Sequence, residues 1–115
     1  MTAGPVRVVL DEGAEADLEA IVDHLTELRG RDDALALLSA FLEKIATLES
    51  FPLRGPVPKE LEGSGESGVR QTLLGRHRIF YEVEHDLVAV FLIADGRRDI
   101  RTLLASRMLD RSPPA

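Results

Sequence analysis

Hydrophobic and polar positions along the chain change period three times, from strand-like to helical, back to strand-like, and to helical again near the end. The run "VRVVL" (6–10) is rich in β-branched residues and stops at Asp11-Glu12-Gly13, which predicts a short strand with Asp11 placed to cap the helix after it. From Ala14 onward Ala14, Leu18, Ile21, Val22, Leu25 and Leu28 recur at intervals of three and four. Glu15, Asp17, Glu19, Asp23 and Glu27 fill the positions between them. That is an amphipathic helix ending near Gly30. A second helix is expected from Asp32 or Asp33, burying Leu35, Leu38, Phe41, Leu42, Ile45 and Leu48. Pro52 stops it, because the residue before a proline avoids helical geometry.

Only Arg29 to Arg31 separate the two helical patterns, so they should pack as an antiparallel hairpin with an acidic, solvated outer face. The segment 51–68, with its prolines and glycines, reads as a loop without regular structure. Three strand signals come next, "VRQTLL" (69–74), "HRIFYEVE" (77–84) and "LVAVFLIA" (87–94), joined by two-residue links that require antiparallel neighbours. In the second, Ile79, Tyr81 and Val83 alternate with Arg78, Phe80, Glu82 and Glu84, as in a sheet with one face on a core. Tyr81 is thereby expected to be structural, its hydroxyl satisfied at the core edge. The third does not alternate and should be central, covered on both sides. Ile100, Leu103, Leu104, Arg107 and Met108 predict a short third helix, with 110–115 as a frayed tail. The order β-α-α-β-β-β-α gives an α+β fold: a helical hairpin on one face of a four-stranded, mainly antiparallel sheet.

Composition narrows the function. A chain of 115 residues, 44% hydrophobic and 30% charged, is expected to form one domain (1–115) with one core. The absence of cysteine excludes disulfides and thiol chemistry. His24, His77 and His85 share no metal-ligand spacing, and no glycine-rich loop precedes a helix, so no metal site or cofactor is expected. No apolar run reaches the roughly 20 residues of a membrane span and the N-terminus lacks a signal-peptide core; a cytoplasmic protein is the expectation. The net charge of −6 argues against direct DNA binding. Charge is unevenly spread, however: residues 1–62 hold thirteen acids and six bases, whereas all eight bases after residue 62 are arginine.

Three of these arginines, Arg97, Arg98 and Arg101, crowd into "IADGRRDIR" and need a counter-anion. In their order and spacing, "ADLEAIVDHL", "IATLESFPLRG", "VRQTLLGRHRIFYEVE" and "VFLIADGRRDIRTLL" resemble the RelE/ParE superfamily of type II toxins over nearly the whole chain. The resemblance implies one of two activities, ribosome-dependent mRNA cleavage of the RelE type or non-covalent inhibition of DNA gyrase of the ParE type. A third outcome is a non-toxic homologue that only binds antitoxin. In RelE-like enzymes the resemblance places lysines on the strand matching 69–74, arginines at Arg78 and Arg98, and a tyrosine on the last helix. Here the phosphate-holding arginines match. The strand offers only Arg70, and the tyrosine position falls at about Leu104. His77 is then the stand-in acid or base, so an interferase would rest on Arg70, His77, Arg78 and Arg98. With the proton-moving groups replaced, the ParE-like branch is expected. Arg97, Arg98 and Arg101 would receive the acidic C-terminal segment of an antitoxin. The plain alternative is surface pairing with Asp99, Glu82 or Glu84.

Overall fold

A computed structural model describes residues 6–66 and 68–111. Its elements are β1 (Arg7–Leu10), α1 (Glu12–Arg29), α2 (Arg31–Ala46), β2 (Val69–Leu74), β3 (His77–Glu84), β4 (Leu87–Asp95) and α3 (Ile100–Arg111). The sheet order is β1-β4-β3-β2, with β1 parallel to β4 and the other pairs antiparallel. This is the expected α+β arrangement. The Asp11 carboxylate accepts the Ala14 N–H at 3.0 Å, satisfying one of the free donors at the start of α1.

The hairpin is tighter than its sequence suggests. Gly30 alone links α1 to α2, which begins at Arg31, because its φ of +94° reverses the chain in one residue, a conformation that side chains disfavour. Asp32 and Asp33 therefore lie in the first turn of α2. Leu28, Leu35 and Leu42, expected inside, are 66%, 45% and 49% exposed. The sheet takes a narrower stripe than the apolar face offers, formed by Ala14, Leu18, Phe41, Ile45 and Leu48 against Ile79, Tyr81, Val88, Val90 and Ile93.

A second core occupies the opposite face of the sheet. Val69, Phe80, Phe91, Leu92 and Ala94 pack beneath Ile100 and Leu104 of α3, with Leu61 from the preceding loop at its edge. Phe80, expected on the polar face of its strand, is thus fully buried. The missing alternation in β4 has a second cause besides burial on both sides. Phe80 lies opposite Leu92 and Tyr81 opposite Val90, so Phe91 is an extra residue in the ladder. That bulge sends Phe91 and Leu92 together into the second core and returns Ile93 to the first.

One acid of α1 departs from the expected solvated face. β1 ends opposite Val90, and beyond it the backbone of β4 finds side chains instead of a strand. The Ile93 N–H donates to Asp17 Oδ2 at 2.9 Å, and the Phe91 carbonyl accepts from Arg107 at 2.7 Å. Arg107 and Asp17 then join in a two-point ion pair of 2.8 and 2.9 Å, linking α1, the bulge and α3 across the edge of the sheet. α3 continues through Asp110 and Arg111, both assigned to the tail by sequence; the rest of that tail, 112–115, lies outside the described residues. No helix among the described residues is long and apolar enough to cross a membrane.

Candidate functional site

The long loop between α2 and β2 is held at successive points. The Gly55 N–H donates to the Tyr81 hydroxyl at 3.2 Å, and Arg70 donates to the carbonyls of Gly55 and Leu53 at 2.9 and 3.4 Å. The Gln71 N–H reaches the Pro56 carbonyl at 3.0 Å, covering part of the free edge of β2. Tyr81 is fully buried with its hydroxyl used as an acceptor, as expected of a structural residue. Contrary to the expectation of an irregular segment, Lys59–Leu61 forms a 3-10 turn. This turn sends Leu61 into the second core and Glu60 towards β3.

There Glu60 meets Arg78. Two parallel hydrogen bonds of 2.8 and 2.9 Å join carboxylate to guanidinium, and Arg78 Nε donates to Gln71 Oε1 at 2.7 Å. The Arg78 guanidinium also stacks 4.9 Å over the Phe80 ring. The two side chains are only 12% and 10% exposed. The hydrogen bonds from Arg78 hold the Glu60 carboxyl down to about 2, against the desolvation that would raise it. A group with a depressed folded pKa stabilises the fold above its unfolded value and loses that contribution as pH falls through the folded one. The expected outcome is an acid transition costing about 3 kcal/mol between pH 4.5 and 2. Glu60→Gln should be less stable at neutral pH and lack that limb, which denaturant titrations at stepped pH will measure.

Outward from this pair lies a cleft of about 430 Å³ lined by Lys59, Glu60, Arg78, Arg98, Asp99 and Arg101, with Gly96 and Ile100. Arg78 and Arg98 thus share one site with Arg101. Arg98 and Arg101 are exposed, and their side chains make no hydrogen bond or ion pair among the described residues. Asp99 is engaged in capping α3: its carboxylate accepts from the Thr102 N–H and hydroxyl, which lowers its pKa. Arg97 points elsewhere. It forms two bonds of 3.1 Å to Asp95, a partner not among the acids considered from sequence, because the tight turn after β4 folds it back over the strand end. Those bonds hold the Asp95 carboxyl at about 2.

The remaining sequence candidates lie apart from the cleft. Arg70 braces the loop on the hairpin side. His77 packs edge-on against Phe41, ring centroids 5.2 Å apart, and burial lowers its pKa; it is half-buried, not solvated. Leu104 is buried in the second core. Glu60 and Lys59 were missed by sequence reasoning. The one available signal was the surplus of arginine after residue 62, which demanded acids from the other half of the chain.

Several solved structures are similar to this chain in fold, and two of them are toxin–antitoxin assemblies. One, the chromosomal ParDE toxin–antitoxin system from P. aeruginosa, matches with a TM-score of 0.67 at 22% identity, covering 81% of this chain and 98% of that one. The other, the toxin–antitoxin complex RelBE2 from Mycobacterium tuberculosis, matches with a TM-score of 0.54 at 24% identity, covering 79% and 98%. No curated protein matches significantly in sequence. The family model described as the ParE toxin of the type II toxin–antitoxin system parDE matches residues 8–100, which takes in the hairpin, the sheet apart from Arg7, and Arg97 and Arg98, and stops just before Arg101. The chain belongs to the ParE toxin family of type II toxin–antitoxin systems.

Proposed function

We propose that this protein is a toxin that inhibits DNA gyrase by binding, without covalent chemistry, and that a cognate antitoxin neutralises it by folding an acidic C-terminal segment over Arg98 and Arg101, with Arg97 at the rim. The observation that carries binding over catalysis is the chemistry of the cleft. Its carboxylates are held ionised, Glu60 by Arg78 and Asp99 by Thr102, and are weak bases near neutrality. Its arginines stay protonated. His77 is packed against Phe41, away from the cleft lining. An antitoxin partner agrees with the descriptions of both similar structures as toxin–antitoxin assemblies.

The convergence of Arg78 and Arg98 on one cleft favours a second reading, a ribosome-dependent mRNA interferase. Expression without antitoxin separates the two. The proposal expects growth arrest with transcripts uncut. Cleavage in the ribosomal A site that disappears with Arg98→Ala would establish the interferase, and unimpaired growth would leave a non-toxic antitoxin-binding homologue.

Arg98→Ala should leave thermal stability nearly unchanged, because the side chain is exposed and makes no hydrogen bond or ion pair among the described residues. If Arg98 is buried against an antitoxin carboxylate, the same change should weaken the complex by about 2 to 5 kcal/mol, mostly through faster dissociation. Arg97→Ala should cost far less, since Asp95 already holds that guanidinium at the surface. Surface plasmon resonance beside a melting curve reads both quantities.

A further inference from the structure

The cleft has two tiers of positive charge with different owners. On the inner tier, the Arg78 fork holds a carboxylate in two-point geometry, and that carboxylate comes from the chain's own loop. On the outer tier, Lys59, Arg98 and Arg101 line the opening, with only Asp99 as a further acid, and Asp99 is tied to the start of α3. In a protein of net charge −6, this is a local cationic surface beside a group already shown to fit a carboxylate. Glu60 rides on a single 3-10 turn inside a segment rich in proline and glycine, whereas Arg78 is fixed in the middle of the sheet. Of the two members of the pair, Glu60 is therefore the one that can leave.

We propose that the cleft is a carboxylate-binding site whose inner arginine is occupied by the chain's own Glu60, so that an acidic partner segment docks first on Lys59, Arg98 and Arg101 and reaches full affinity only by replacing Glu60 on Arg78. The proposal rests on the reading of Arg98 and Arg101 as partner-facing. It adds to that reading an internal competitor that weakens binding of short or singly charged anions and favours segments carrying several acids. A ligand whose site is already filled binds with an affinity reduced by the fraction of time the site is open. Arg98, in the turn before α3, and Arg101, in the first turn of α3, line the same cleft, so a partner segment carrying more than one acid can engage both.

A hexaglutamate peptide is the probe, titrated into the isotopically labelled full chain at low salt with the arginine Nε–H signals followed by NMR. In the wild type, the Arg98 and Arg101 signals should move first and the Arg78 signal should shift only near saturation. Glu60→Gln should bind about tenfold more tightly, with Arg78 moving together with the other two. The double variant Arg98→Ala/Arg101→Ala should bind at least tenfold more weakly. Equal affinity of the wild type and a folded Glu60→Gln would overturn the competition while leaving the outer arginines as the partner surface. Undiminished binding by the double variant would instead remove the partner surface itself. Should Glu60→Gln fail to fold, the wild-type titration decides alone: an Arg78 signal unmoved at saturating peptide refutes the proposal.

Discussion

Arg107→Met is expected to destabilise the protein by about 3 kcal/mol, one of the largest effects of any single substitution outside the apolar cores. The methionine keeps most of the side chain's length and apolar contact, so the loss falls on the polar groups that Arg107 serves. The Asp17 carboxylate loses its two-point partner in a largely buried position. The Phe91 carbonyl at the bulge loses its donor. An unpaired buried charge costs more than the pair contributes, so restoring neutrality should help. The double variant Asp17→Asn/Arg107→Met is therefore expected to be more stable than the sum of the two single changes predicts, by about 1 kcal/mol or more in a double-mutant cycle. Strict additivity in chemical denaturation would mean that the two side chains act independently.

Gly55→Ala is expected to be comparably severe for a different reason. A Cβ at this position would stand 1.9 Å from the Gln71 carbonyl oxygen and 2.9 Å from the Tyr81 hydroxyl, and the first of these is backbone inside a paired strand. Nothing nearby can yield without moving β2 or lifting the loop. Lifting the loop breaks the bonds from Gly55 to Tyr81, from Arg70 to Gly55 and from Gln71 to Pro56. The expected loss is about 3 kcal/mol, or a fall of roughly 10 °C in melting temperature for a domain of this size. Gly68→Ala is the control. Its Cβ would meet the Val83 carbonyl at 3.6 Å, an ordinary contact, and its melting temperature should stay within a few degrees of the wild type.

The parts of the molecule set by local periodicity were legible in the sequence, and those set by distant pairing were not. α1, α2 and the three-strand meander arise from spacing within windows of about ten residues, and Asp11 announces its helix because a cap acts on the next three residues. The exposure of Leu35 and Leu42 was hidden. A helix with apolar residues over a wide arc does not say which part of the arc the sheet will take. The bulge at Phe91 was equally silent, since a non-alternating run looks the same whether it is covered on both faces or carries an extra residue.

At the site, the arginine turn was visible as an unbalanced charge, and its link to Arg78 came from the family resemblance. Glu60 was out of reach. It lies in a loop with no periodicity, and its partner is eighteen residues away. Asp17 was hidden in a different way, as one of many acids on a helix whose other charges do face water. What singles it out is Arg107, ninety residues later. The sequence therefore shows where cations gather, while the coordinates decide which of them are already neutralised. Arg78, Arg97 and Arg107 are paired internally, whereas the side chains of Arg98 and Arg101 make no hydrogen bond or ion pair among the described residues.

The central claim is that this ParE-family toxin acts on gyrase by stoichiometric binding. The direct measurement titrates folded protein, free of antitoxin, into a gyrase supercoiling reaction at fixed enzyme concentration well above the dissociation constant. The account predicts that supercoiling falls linearly and ends near a fixed molar ratio of toxin to gyrase, with translated transcripts left intact at the same protein concentration. Full supercoiling at saturating toxin, together with transcripts cut by far less protein than there are ribosomes, would contradict it and identify an enzyme.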